Sequence, residues 1–64
     1  MNLYLEFKNY GKDSAVLINK NAIMSVSPHH NLNATVVRLL YNKEFLIAES
    51  VEEVIAKMKG EDNE

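Results

Sequence analysis

The sequence predicts an α+β domain: a small five-stranded antiparallel meander, open or curled into a small barrel, with one C-terminal helix packed on one face. Three observations predict it. Apolar runs of strand length are separated by short breaks containing Asn, Gly or Pro. The last apolar stretch changes from a two-residue to a helical period. Every gap is short, which favours antiparallel pairing of consecutive strands.

The first strand is read from Leu3, Leu5 and Phe7 alternating with Tyr4, Glu6 and Lys8, the pattern of a half-buried strand. Asn9 to Asp13 forms the turn, with Gly11 free to take positive φ. Ser14 to Ile18 is a second strand, broken by Asn19-Lys20-Asn21. Ala22 to Ser27 is a third, stopped by Pro28, which cannot donate to a ladder. After the polar loop Pro28 to Asn33, the run Thr35 to Tyr41 is rich in residues that favour the pleated state. Asn42-Lys43 is then expected as a two-residue turn, with Glu44 to Ala48 returning as the fifth strand.

The helix is the most explicit element. Ser50 and Glu53 form an S-x-x-E capping box, and Val51, Val54, Ile55 and Met58 follow on one helical face. Glu52 and Glu53 complement the N-terminal end of the dipole, Lys57 and Lys59 the C-terminal end. Glu53 and Lys57 are spaced for an i, i+4 ion pair. Gly60 stands where a left-handed stop is wanted. Nine residues fall below the roughly 12–15 needed for an isolated helix, so the stripe must dock on the sheet.

At 64 residues, 47% hydrophobic and 25% charged, the chain has the composition of one globular domain. Residues 1–59 are assigned to that domain and residues 60–64 to a frayed acidic tail. Over residues 1–59 seven bases face six acids, and the other three acids are Glu61, Asp62 and Glu64. A nearly neutral body gives no general attraction for nucleic acid or an anionic membrane. The start of the chain has no basic, apolar leader and no run long enough to span a membrane, and cysteine is absent. These features lead to the expectation of a cytoplasmic protein with no membrane partner.

A domain this short buries only about 60% of the surface its unfolded chain exposes. With the two-residue turn, Tyr41 would face Glu44, and Val37, Leu39, Leu46 and Ala48 would share one side of the hairpin. Val36, Leu40, Phe45 and Ile47 would lie on the other, with Arg38 and Glu49 diagonal for an ion pair. A solvated sheet face should not carry that set. The expected interface is therefore Val36, Arg38, Leu40, Phe45 and Ile47, covered by another copy in a homo-oligomer, by barrel closure or by a protein partner.

Little in the sequence points to chemistry. His29-His30 lacks companion ligands for a metal, and two solvated loop histidines are expected. The serines lack a histidine partner, the carboxylates are scattered, and no phosphate-binding glycine motif is present. No catalytic residue, cofactor or metal is assigned. Tyr10, Lys12, Lys20, Arg38 and Lys43 are the groups that could meet a nucleotide or nucleic acid, by charge and by stacking. The leading functional reading is a non-enzymatic homo-oligomeric interaction or adaptor module. The alternatives are a phage-type inhibitor that blocks a host protein or sequesters a small nucleotide, and a nucleic-acid-binding regulator.

From Ile18 to Lys59, "INKNAIMSV", Pro28 and "TVVRLLYNKEFLIAESVEEVIAKM" resemble the small flagellar and swarming-motility protein family of bacteria. The resemblance implies a strand, a hairpin, a strand ending in Glu-Ser and a short helix, together with a role in motility. It implies no catalytic residues. This chain has Leu5-Glu6-Phe7-Lys8-Asn9 in place of that family's Thr-Arg-Leu-Asn-Gly-like opening, and Asn42 where Gly is frequent. The same ending is similar to small phage-encoded inhibitors and, more distantly, to the end of LytTR-type DNA-binding domains.

Overall fold

A computed structural model describes residues 3–60. The acidic tail expected from residue 60 falls, beyond Gly60, outside the described residues. The elements in order are β1 (Tyr4–Lys8), β2 (Ala15–Asn19), a 3-10 turn (Lys20–Ala22), β3 (Ile23–Pro28), β4 (Thr35–Leu39), β5 (Glu44–Ile47) and α1 (Val51–Lys59). The fold is α+β, with five antiparallel strands and one C-terminal helix, as expected.

The strands form two sheets, the pair β1-β2 and the triplet β3-β4-β5, and they do not close into a barrel. Consecutive pairing fails only between β2 and β3. There Asn19 caps the 3-10 turn, its side chain accepting the Asn21 N–H at 2.9 Å, and the chain is redirected before a hairpin can form. The two sheets touch through β1 and β5. Asn9 lies opposite Ile47, the Tyr10 N–H donates to the Leu46 carbonyl at 3.0 Å, and the Ala48 N–H donates to the Lys8 carbonyl at 2.8 Å.

The β4–β5 register corrects the expected one. Thr35 faces Ile47, Val36 faces Leu46, Val37 faces Phe45 and Arg38 faces Glu44. The connection is Leu40-Tyr41-Asn42, closed by the Leu39 N–H donating to the Lys43 carbonyl at 2.7 Å, with Asn42 at φ 63°. Asn tolerates the left-handed region, which ends a three-residue hairpin loop. Relative to the two-residue turn the pairing slips by three residues, and an odd slip moves the strand's side chains to the other face. Phe45 and Ile47 therefore join Val37 and Leu39 on the core side. The second apolar face does not form.

The core consists of Phe7, Ile18, Val37, Leu39, Ile47 and Val54, all buried, with Leu5, Val16, Ile23, Val26, Phe45 and Met58 packed around them. The helix lies against β3 and β1. Val54 is its buried residue, whereas Ile55, expected in the same stripe, is 38% exposed. Both helix ends follow the sequence reading. The capping box is complete, with Glu53 N–H donating to Ser50 Oγ at 3.1 Å and Ser50 N–H donating to Glu53 Oε1 at 3.0 Å. Gly60 closes the helix at φ 73°.

Candidate functional site

The polar cluster with the most connections lies where β5 ends and α1 begins. Strand β1 has β5 beside it only at its C-terminal end, because the chain leaves the sheet at Ala48 to enter the helix. Main-chain groups of β1 short of that point lose the neighbour a longer strand would supply. Two side chains take its place. Glu49 Oε2 accepts the Lys8 N–H at 3.1 Å, and the Lys57 ammonium donates to the Glu6 carbonyl at 2.7 Å. The two are themselves joined, Lys57 Nζ lying 3.0 Å from Glu49 Oε1 and 3.1 Å from Oε2.

This pairing corrects two expectations. Lys57 binds Glu49 rather than Glu53, whose carboxylate is engaged in the capping box. Arg38 pairs with Glu44 rather than Glu49, since the observed register brings Glu44 directly opposite. Lys57 Nζ also sits 5.1 Å from the centroid of the buried Phe7 ring, within cation–π range. The Thr35 hydroxyl donates to the Glu49 carbonyl at 2.6 Å and holds the backbone at the strand-to-helix corner. A cavity of about 450 Å³ opens beside the pair, lined by Glu6, Phe7, Lys8, Asp13, Ser14, Ala15, Glu49 and Lys57. Chemically, the Glu49–Lys57 pair completes a sheet edge.

A second groove, of about 560 Å³, runs between the β3–β4 loop and the start of α1. The loop is organised by His29, whose Nδ1 accepts the N–H groups of Asn31 and Leu32, each at 3.0 Å. Its main chain closes the loop by donating to the Ala34 carbonyl at 2.9 Å. The His30 ring stacks on that of His29 with centroids 4.6 Å apart. His29 is thus half-buried and bonded rather than solvated as expected, while His30 is exposed. Among the described residues no group of three or more His, Cys, Asp or Glu is placed to hold a metal ion. Every buried side-chain nitrogen or oxygen among them has a hydrogen-bond partner.

The structure divides the expected interface set. Ile47 is fully buried, and Phe45 packs against the core. Val36 and Arg38 lie on the outer face of β4, and Leu40 stands 63% exposed in the β4–β5 loop. The expected ligand-binding groups are likewise spread over separate elements. Tyr10 and Lys12 belong to the β1–β2 turn, Lys20 to the 3-10 turn, Lys43 to the approach to β5, and Arg38 to the ion pair with Glu44. Lys43 Nζ lies 5.6 Å from the Phe45 ring centroid.

Of the exposed apolar side chains, Leu17 and Met24 are the two largest exposures that sequence reasoning did not select. Leu17 and Tyr41 are each 67% exposed, Met24 54% and Tyr4 51%. Leu17 is recognisable from the alternation of β2, where Val16 and Ile18 turn inward. Among the described residues no helix is long and apolar enough to cross a membrane. The chain matches no family model, no curated protein and no solved structure.

Proposed function

We propose that this protein is a small homo-oligomeric interaction module that binds without carrying out a reaction of its own. The observation that supports this most is the set of large apolar side chains left on the surface of so small a domain: Leu17, Leu40, Tyr41, Met24 and Tyr4 are each more than half exposed. Single exposed apolar residues are ordinary, but this many on one short chain mark contact surface. The arrangement of the polar groups points the same way. Glu49, Lys57, Ser50, Glu53, Thr35 and His29 are each bound in a structural contact. The contact surface on this reading is the exposed set, because Ile47 and Phe45 belong to the core.

Light scattering of the full chain from micromolar to millimolar concentration tests the reading. A mass that rises above one chain with concentration is expected. The mass of a single chain across the whole range sinks it.

A further inference from the structure

The hydrogen bonds at the two ends of the β1–β2 hairpin establish which way each residue of β2 points its main chain. The Lys20 N–H donates to the Leu3 carbonyl at 2.8 Å, and the Ser14 carbonyl accepts the Asn9 N–H at 3.0 Å. In an antiparallel strand the direction alternates residue by residue. Val16 and Ile18 therefore face β1, while Ala15, Leu17 and Asn19 turn their N–H groups to the opposite edge. Ala15 and Leu17 turn their carbonyls there too. Among the described residues no other strand is bonded to β2, so this edge is open.

Open edges are usually guarded by charge, proline, a bulge or a covering element. Strands β3 and β1 carry such devices. Strand β3 ends in Pro28, carries a register shift between Ile23 and Ser25, and has the helix against it. On β1, Glu49 accepts the Lys8 N–H and Lys57 donates to the Glu6 carbonyl. Strand β2 has none of these devices. Its sequence is Ala-Val-Leu-Ile-Asn, with no charge between Asp13 and Lys20, and its central outward side chain, Leu17, is 67% exposed.

We infer that β2 is the contact between copies, pairing antiparallel with β2 of a second copy about a two-fold axis at Leu17. This rests on the homo-oligomeric reading above and specifies its interface. The edge is self-complementary in that register. Each Leu17 exchanges its N–H and carbonyl bonds with the other Leu17, and each Asn19 N–H meets the Ala15 carbonyl of the second copy. The two Leu17 side chains meet on the outer face, covering the apolar surface each exposes alone. Like charges are not brought together, since the strand carries none. A second copy fits better than an arbitrary extended peptide, because its strand is already ordered and offers the same row of groups. The contact is isologous and uses the β2 edge of both copies, so it closes at a dimer rather than propagating.

Amide hydrogen exchange on the full chain at micromolar and millimolar concentration tests the inference. The amides of Val16 and Ile18, already bonded to β1, should be protected at both. Those of Ala15, Leu17 and Asn19 should gain protection only at the higher concentration, in step with the mass. Leu17→Lys places like charges on the axis and should weaken association about ten-fold or more, with the circular dichroism spectrum unchanged. Leu17→Pro removes only a donor that faces the open edge, a position where an edge strand tolerates proline, and should act alike. An oligomer whose Leu17 amide exchanges equally at both concentrations, or that survives both substitutions, overturns the β2 contact while leaving the homo-oligomer standing. A single-chain mass at millimolar concentration overturns both.

Discussion

Replacing Lys57 by Met keeps the side-chain stem and deletes the ammonium that substitutes for a missing strand beside β1. The ammonium makes a 2.7 Å bond to the Glu6 carbonyl and a 3.0 Å ion pair with Glu49. Hydrogen bonds to charged groups contribute about 1.5–3 kcal/mol each. The Phe7 ring, 5.1 Å from Nζ, adds about 0.5–1 kcal/mol. The side chains of Lys57 and Glu49 are 30% and 16% exposed, so water recovers part of the loss and the net cost comes to about 2 kcal/mol. A domain of this size has about 3–5 kcal/mol in total. At about 4–8 °C per kcal/mol, Tm should fall by about 8–16 °C, measured by thermal and urea unfolding followed by circular dichroism. Glu49→Gln retains an acceptor for the Lys8 N–H and should cost about half as much. The double variant should cost less than the sum, because both changes dismantle one network. Arg38→Met is the control. That ion pair is about half exposed on both sides, 50% and 49%, and its loss should cost less than about 1 kcal/mol. A Lys57→Met variant that unfolds within about 0.5 kcal/mol of the Arg38→Met control would refute the edge-cover account.

Two further substitutions probe the loops. Asn42 holds the hairpin at φ 63°, so Asn42→Ala should cost about 1 kcal/mol in urea unfolding whereas Asn42→Gly should unfold at or above the wild-type midpoint. His29→Ala removes the acceptor shared by the Asn31 and Leu32 N–H groups; exchange of those two amides should accelerate while that of Val37, in the core, stays slow.

The helix was legible almost to the residue because its start, stop and buried face are written locally, in Ser50, Glu53, Gly60 and the spacing of Val51, Val54 and Met58. The strands were legible as elements, since their alternation is also local. Register was not. Asn42 accommodates a left-handed conformation in both a two-residue and a three-residue turn, and composition does not choose between them. The hydrophobic pattern does choose: only the longer loop places Val37, Leu39, Phe45 and Ile47 on one side. An apparent surplus of apolar faces signalled a wrong register. The Glu49–Lys57 edge cover was harder to see, because its partners are main-chain groups of β1 more than forty residues away. One trace was present. Lys57 lies three residues after Val54, at the margin of the buried stripe, where a lysine stem packs on apolar surface while its head group reaches past it to a polar partner.

The break between β2 and β3 explains why this fold leaves an edge to be used. Two consecutive strands joined by a short link ordinarily pair, and pairing here would have bonded both edges within one chain. The 3-10 turn at Lys20–Ala22, capped by Asn19, sends β3 to the far side of β4 instead. A nine-residue helix then follows β5, and no sixth strand is present among the described residues. Side chains can cover only a short stretch of edge: Glu49 and Lys57 meet two main-chain groups of β1, the Lys8 N–H and the Glu6 carbonyl. Pro28 and the helix suffice for β3. Strand β2 exposes groups along its length, too many for a pair of side chains, and an added strand is the element whose geometry matches them. The proposed contact of β2 with a second copy thus follows from the same short turn that keeps the sheet from closing.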